Sequence, residues 1–232
     1  MCPKTRSSGD TGGRALKGVL FDLDGVLADS EPFHIEAWQR ACLDYNIRIE
    51  RDQFTSWIGH SGIELSTFLI ETYDLSVQTD DFIFQQHRHF LDIIKDGLYC
   101  FPDLKGLLEK MDERIPKGIV TSGTRYLAGR VLKILDLENF LPLLVTIEDV
   151  EHPKPAPDAY ITASYALGLR PEECIAVEDS PSGIESAMNA GCYTLGVANT
   201  HTAKELDRSF RVFPTTVDAL QWILSTLSAT PD

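Results

Sequence analysis

From Phe101 onward, short apolar runs alternate with stretches of helical period, and that alternation restricts the fold more than any other feature of the chain. Lys117 to Val120, Leu143 to Ile147, Cys174 to Val177 and Tyr193 to Val197 read as strands. Between them, Leu127, Val131, Ile134 and Leu135, then Tyr160, Ile161, Ser164 and Leu167, then Ile184, Ala187 and Met188, recur at the spacing of helix faces. Asp103 precedes Leu104, Leu107, Leu108 and Met111 as a helix cap, Gly191 stops the helix before it, and Val217 to Leu227 forms a last helix. Strands that alternate with helices build a parallel sheet with right-handed crossovers, so the expected class is α/β with a doubly wound parallel sheet.

The first strand of that sheet lies far upstream, at Val19-Leu20-Phe21, and runs into Asp22-Leu23-Asp24-Gly25. Ligands of open α/β sheets gather beyond the carboxyl ends of the strands, so two acids delivered there are placed for chemistry. The same Asp-x-Asp-Gly also suits an Asx turn or a helix cap. Ser30 precedes Glu31 and Pro32 as the cap of a helix on which Phe33, Ala37, Trp38, Ala41 and Tyr45 recur. Leu65, Phe68, Leu69 and Thr72 mark a second helix and Phe82 to Ile94 a third. A helical insertion of roughly 70 residues between two strands is too long for an ordinary connection and reads as a separate small domain. The expected organisation is a mobile tail over 1–14, a core of 15–30 and 100–232, and a helical domain over 31–99.

Four strand ends present polar residues on one edge of the expected sheet: Asp22 and Asp24; Thr121-Ser122-Gly123-Thr124; Lys154 in H-P-K-P-A-P-D; and Glu178-Asp179-Ser180. Each alone has a plain reading as a cap or a solvated loop charge, but their order and spacing together point to one site. Splitting a phosphate monoester needs positive charge, an aligned nucleophile and a proton for the leaving oxygen. A carboxylate such as Asp22 can attack phosphorus, and Asp24, two residues on, can protonate the leaving alcohol and then deprotonate water.

F-D-L-D-G-V-L-A-D-S resembles motif I of the haloacid dehalogenase superfamily, and the other three stretches match its remaining motifs in order, from about Lys17 to Val197. Within it, the chain is most similar to the branch of β-phosphoglucomutase and small sugar-phosphate phosphatases. The resemblance implies a Rossmann-like core whose helical insertion caps the site. It implies Asp22 as nucleophile, Asp24 as general acid and base, and Lys154 as the cation that neutralises nucleophile and phosphate. Mg²⁺ would be held by the Asp22 side chain, the Asp24 backbone carbonyl and Asp179, with Glu178 a ligand or just outside. Ser122 would bind the phosphoryl oxygens, with Gly123 letting the backbone approach. His34 falls where that branch has a hinge histidine, and is equally readable as a half-exposed helical residue. Gly59 and His60, in I-G-H-S-G, fall in the substrate-facing cap loop, and Arg125 is a candidate contact for a distal anionic group.

Asp24 favours phosphoryl transfer, because dehalogenases of the superfamily lack that second aspartate. The mutase pattern carries an arginine near Gly62, which this chain lacks. The sequence therefore reads as a Mg²⁺-dependent phosphatase acting on a small phosphorylated metabolite, a sugar or polyol phosphate. A phosphomutase is the alternative, and a phospho-accepting signalling module is the alternative of another class. Composition limits the partners: 21 Lys and Arg against 35 Asp and Glu give a formal charge of −14, which repels nucleic acid and requires a cation for any phosphorylated substrate. Cys2, Cys42, Cys100, Cys174 and Cys192 are scattered and odd in number, as reduced thiols would be. No apolar run approaches the roughly 18 residues of a membrane span and no signal-peptide core is visible, so the expectation is a cytoplasmic monomer or weak dimer.

Overall fold

The computed structural model describes residues 13–57, 62–95, 97–111 and 113–227. Six strands form one parallel sheet: β1 (Gly18–Phe21), β2 (Lys117–Val120), β3 (Leu143–Val145), β4 (Cys174–Glu178), β5 (Tyr193–Val197) and β6 (Arg211–Phe213), in the order β3-β2-β1-β4-β5-β6. β1 is central, pairing Phe21 with Ile119 of β2 and with Val177 of β4. The helices are α1 (Glu31–Leu43), α2 (Gly62–Tyr73), α3 (Thr79–Ile94), α4 (Leu104–Lys110), α5 (Arg125–Leu135), α6 (Asp158–Ala166), α7 (Pro181–Ala190) and α8 (Thr216–Leu227).

Alternate residues of the strands supply two separate apolar clusters. Val19, Phe21, Ile119, Ile175, Val177, Leu195 and Val197 pack with α4, α5 and α8 on one face. Leu20, Val120, Cys174 and Ala176 pack with Ala159, Tyr160, Ala163 and Ala187 of α6 and α7 on the other. Both faces are covered, which is why the strands read as continuous apolar runs rather than as an apolar–polar alternation.

Between β1 and β2, α1, α2 and α3 share a third cluster around Trp38, Phe54, Leu65, Leu69 and Phe82. Ala37 of α1 and Phe90 and Ile94 of α3 instead join the core cluster, so the inserted helices rest on the sheet domain along one side. The two connections run together: Ala28 and Cys100 form an antiparallel bridge, and the Asp29 amide donates to the Tyr99 carbonyl.

Local differences from the sequence reading have local causes. β3 ends at Val145 rather than Ile147, because the Thr146 amide and hydroxyl both donate to Asp149 at 2.8 Å and cap a 3₁₀ turn over Ile147–Asp149. Asp103 adopts the left-handed region, φ 64°, and its side chain makes no cap bond. Ser30 precedes α1 as expected, but its hydroxyl turns away from the helix amides. Arg14, at the end of the expected tail, donates to the Gly191 carbonyl at 3.0 Å and lies over the Phe210 ring. Residues 1–12 of that tail lie outside the described residues. Among the described residues no helix is long and apolar enough to cross a membrane, and Cys42, Cys100, Cys174 and Cys192 are free thiols.

Candidate active site

In a parallel sheet every strand ends on the same edge, so residues far apart in sequence meet there without further design. Asp22 follows β1, Thr121 follows β2, Glu178 ends β4 and Asp179 follows it. Lys154, in the connection from β3 to α6, reaches the same point. Its ammonium, with only 5% of the side chain exposed, donates to Asp22 Oδ1 at 2.6 Å, to Glu178 Oε1 at 2.6 Å and to the Val120 carbonyl at 3.0 Å. Three donors of one ammonium are thereby used. Glu178, with no exposed surface, also accepts from the Tyr160 phenol at 2.7 Å and from the Ser180 hydroxyl at 3.3 Å.

Two glycines make the crowding possible. Gly25 turns the chain with φ +78°, and a Cβ there would lie 1.9 Å from Asp179 Oδ2. A Cβ at Gly183, in the first turn of α7, would lie 2.1 Å from the Glu178 carboxylate.

Asp22, Glu178 and Asp179 place carboxylate oxygens within 4.8 Å of one another, and all three residues are buried. Burial raises the Asp22 carboxyl well above its usual range; Lys154 opposes this, while Glu178 and Asp24 add to it. Asp179 is raised likewise by burial, then by Asp22 and Glu178, with Thr200 opposing. Burial lowers the affinity of Lys154 for its proton, but Asp22 and Glu178 outweigh it and hold the ammonium above its ordinary range. Three buried acids share one ammonium, so their full ionisation calls for more positive charge, and an all-oxygen donor set of this kind fits a hard cation such as Mg²⁺.

Asp24 faces the inserted helices. Its Oδ1 accepts from the Ser30 hydroxyl at 2.5 Å and lies 3.4 Å from His34 Nε2. Burial pushes this carboxyl up, but His34, Ser30 and Lys154 together bring it below its usual value. His34 moves the other way: burial lowers it, and the bond to Asp24 and its charge raise it above the ordinary imidazole value. The His34 ring stacks on Phe90 of α3 at 3.9 Å between centroids, and its Nδ1 lies 3.4 Å from Gln86.

Ser122 is exposed just past β2, whereas Thr121 is buried with its hydroxyl accepting from the Gly123 amide at 3.0 Å. The Arg125 guanidinium is gathered into a two-bond pair with Asp149, at 2.6 and 2.5 Å. Gly59 and His60 lie outside the described residues.

Residues 19–197 match the family model of the haloacid dehalogenase-like hydrolases. The chain belongs to that family. Among its relatives, hexitol phosphatase A of Escherichia coli K12 is 34% identical over 197 residues, covering 82% of this chain and 88% of the relative. Validoxylamine A 7'-phosphate phosphatase of Streptomyces hygroscopicus is 31% identical over 191 residues, covering 82% and 89%. The crystal structure of a hydrolase from Pseudomonas syringae superposes with a TM-score of 0.78 at 27% identity, covering 89% of this chain and 97% of that one.

The stretches expected to carry the family's motifs are the ones that the sheet edge gathers. Three contributors to the site escaped the sequence reading. Tyr160 counted there only as a helix-face residue, and Asn199 and Thr200, just past β5, were not read although they close a strand at the same edge. The Asn199 amide donates to the Gly25 carbonyl at 2.7 Å, and the Thr200 hydroxyl donates to Asp179 Oδ2. The rule that located the other four strand ends applies to β5 as well.

Proposed function

We propose that the protein is a Mg²⁺-dependent phosphatase that releases phosphate from a small phosphorylated sugar or polyol through an aspartyl-phosphate on Asp22. The observation that carries the reading is Lys154 bridging Asp22 and Glu178 beside Asp179, one cation among buried acids at a strand edge. An Asp22 oxygen forms a bond to phosphorus, the bond from phosphorus to the substrate oxygen breaks, and the departing oxygen takes a proton from Asp24. Water then attacks phosphorus, Asp24 accepts its proton, and the phosphate leaves as Asp22 is restored.

Mg²⁺, held by the Asp22 and Asp179 carboxylates, the Asp24 carbonyl and Glu178 directly or at one remove, would offset the charge of the transferring phosphoryl group. Lys154 opposes the effect of burial on the Asp22 carboxyl and holds it in place. Ser122 is assigned to the phosphoryl oxygens, with Gly123 letting the backbone approach them. The Asp24–His34 pair holds one proton between its two members next to the leaving group. His34 also ties the acid to the inserted helices, which are read as the cap that closes over substrate. Arg125 is left out of the substrate site, since Asp149 occupies its guanidinium.

The test is phosphate release across sugar, polyol and nucleotide phosphates. Turnover of sugar or polyol phosphates that requires Mg²⁺ and disappears in Asp22→Asn is expected. Conversion of β-glucose 1-phosphate with a bisphosphate primer into glucose 6-phosphate, with little free phosphate, would make the enzyme a phosphomutase. A phosphoenzyme that lasts minutes without turnover would make it a signalling module.

A further inference from the structure

The segment after β5 touches both arms of the acid cluster. Asn199 Nδ2 donates to the Gly25 carbonyl at 2.7 Å and to Thr216 Oγ1 at 2.8 Å, and the Thr216 hydroxyl donates to the Val26 carbonyl at 2.8 Å. Thr216 is fully buried at the start of α8. The turn that follows Asp24 is therefore pinned from two elements. One residue further on, the Thr200 hydroxyl donates to Asp179 Oδ2, and Asp179 Oδ1 accepts no hydrogen bond among the described residues. His201 Nδ1 lies 3.0 Å from the Asp179 backbone carbonyl. The fit is close: a Cβ on Gly25 would meet Thr200 Cγ2 at 2.9 Å as well as the Asp179 carboxylate.

A carboxylate that binds a cation must give up its rotational freedom, and a group that fixes it beforehand lowers that cost. We propose that Thr200 is a positioning residue for the cation site: its hydroxyl holds one oxygen of Asp179 and leaves the other for the metal. Asn199 and Thr216 hold the Asp24–Val26 turn in the same way. The inference rests on the assignment of Mg²⁺ to this cluster. Thr200 touches neither substrate nor phosphorus in this account. Its effect is on metal affinity rather than on the rate of the loaded enzyme.

Calorimetric titration of the full chain with Mg²⁺, with no substrate present, tests it on wild type, Thr200→Val, Thr200→Ala and Thr200→Ser. Thr200→Val keeps the shape and removes the donor, and Thr200→Ala serves if the valine variant does not fold. A rise in the Mg²⁺ dissociation constant of roughly 10- to 100-fold is expected for the valine and alanine variants. Thr200→Ser should lie within about threefold of wild type, since it restores the donor. In turnover, kcat at saturating Mg²⁺ should stay within about twofold while the Mg²⁺ concentration for half-maximal rate rises in step. Wild-type affinity in Thr200→Val, or lost turnover that excess Mg²⁺ does not restore, would overturn the inference alone. A wild-type protein that binds no Mg²⁺ would overturn both it and the metal assignment.

Discussion

The strand edge and the inserted helices follow different rules. At the edge, Asp22, Lys154, Glu178 and Asp179 come from segments up to 157 positions apart; parallel register brings the acids together, and the connection from β3 to α6 brings in Lys154. They are buried and held by charge: one ammonium bridges two carboxylates at 2.6 Å each. Among α1, α2 and α3 the cohesion is apolar, centred on Trp38, Leu69 and Phe82, while Ile63, Phe68, Tyr73 and Phe84 are exposed. Backbone topology places the chemistry, whereas no backbone rule dictates which side chains the inserted helices present. A fold of this kind can keep its reaction while that second region varies.

Substitutions at the two regions should separate rate from stability. Asp22→Asn is expected to lower kcat by on the order of 10⁴ or more with a melting temperature at or above that of wild type, because it removes a carboxyl that burial holds away from its charged form. A variant that kept measurable turnover would break the contrast at once. Lys154→Met should be costly in both respects. It leaves Glu178 buried without its cation, so denaturant unfolding should show a loss of about 3–5 kcal/mol alongside lost activity.

Phe82→Ala probes the other region: it empties a fully buried site between Trp38 and Tyr45, for an expected loss of about 3–5 kcal/mol. Phe84→Ala, two residues away and exposed, should stay within about 0.5 kcal/mol. Equal losses in the two would mean that the inserted helices are not held by the cluster assigned to them.

The smallest expected effect joins the two regions through His34 and Asp24, whose side chains are 26% and 28% exposed. His34 is raised in the folded state, so its stabilising contribution is full below the unfolded imidazole value and fades as pH climbs through the folded one. Asp24 is lowered, so its contribution is present above the unfolded carboxyl value and fades as pH falls through the folded one. The gap in stability between wild type and His34→Gln should therefore be widest between about pH 4 and 6.5, at up to about 1 kcal/mol, and narrow toward pH 9. His87, pushed down to about 4 by burial and by His34, is neutral over the upper part of that window and takes up a proton only at its acid end. A gap that widened with pH would contradict the pairing.

The strand ends were legible because a buried parallel strand is an apolar run, and the residue after the run is the one that faces the ligand edge. Asp22 was found in this way; Ser122 and Asp179 lie one residue further on in Thr121-Ser122 and Glu178-Asp179, and the resemblance singled them out. β6 was not, since Arg211–Phe213 is three residues long and starts with a charge. The length of β3 depended on Thr146 bonding Asp149, a competition between side chain and ladder that apolar periodicity does not record. Ser30 looked like a helix cap and instead donates to Asp24. Tyr160 and Thr200 act on acids 18 and 21 residues away, and contacts of that range depend on how the chain folds back rather than on local pattern.

The covalent intermediate on Asp22 is most directly tested by rapid-quench intact mass analysis of Asp24→Asn mixed with p-nitrophenyl phosphate and Mg²⁺. That leaving group needs no proton, so the first half-reaction proceeds without Asp24, while the second lacks its base. A burst of about one nitrophenol per chain, with one phosphate bound covalently at Asp22 and absent from the Asp22→Asn/Asp24→Asn double variant, is the expected result. No burst and no adduct, or an adduct on another residue such as Glu178, would contradict the account.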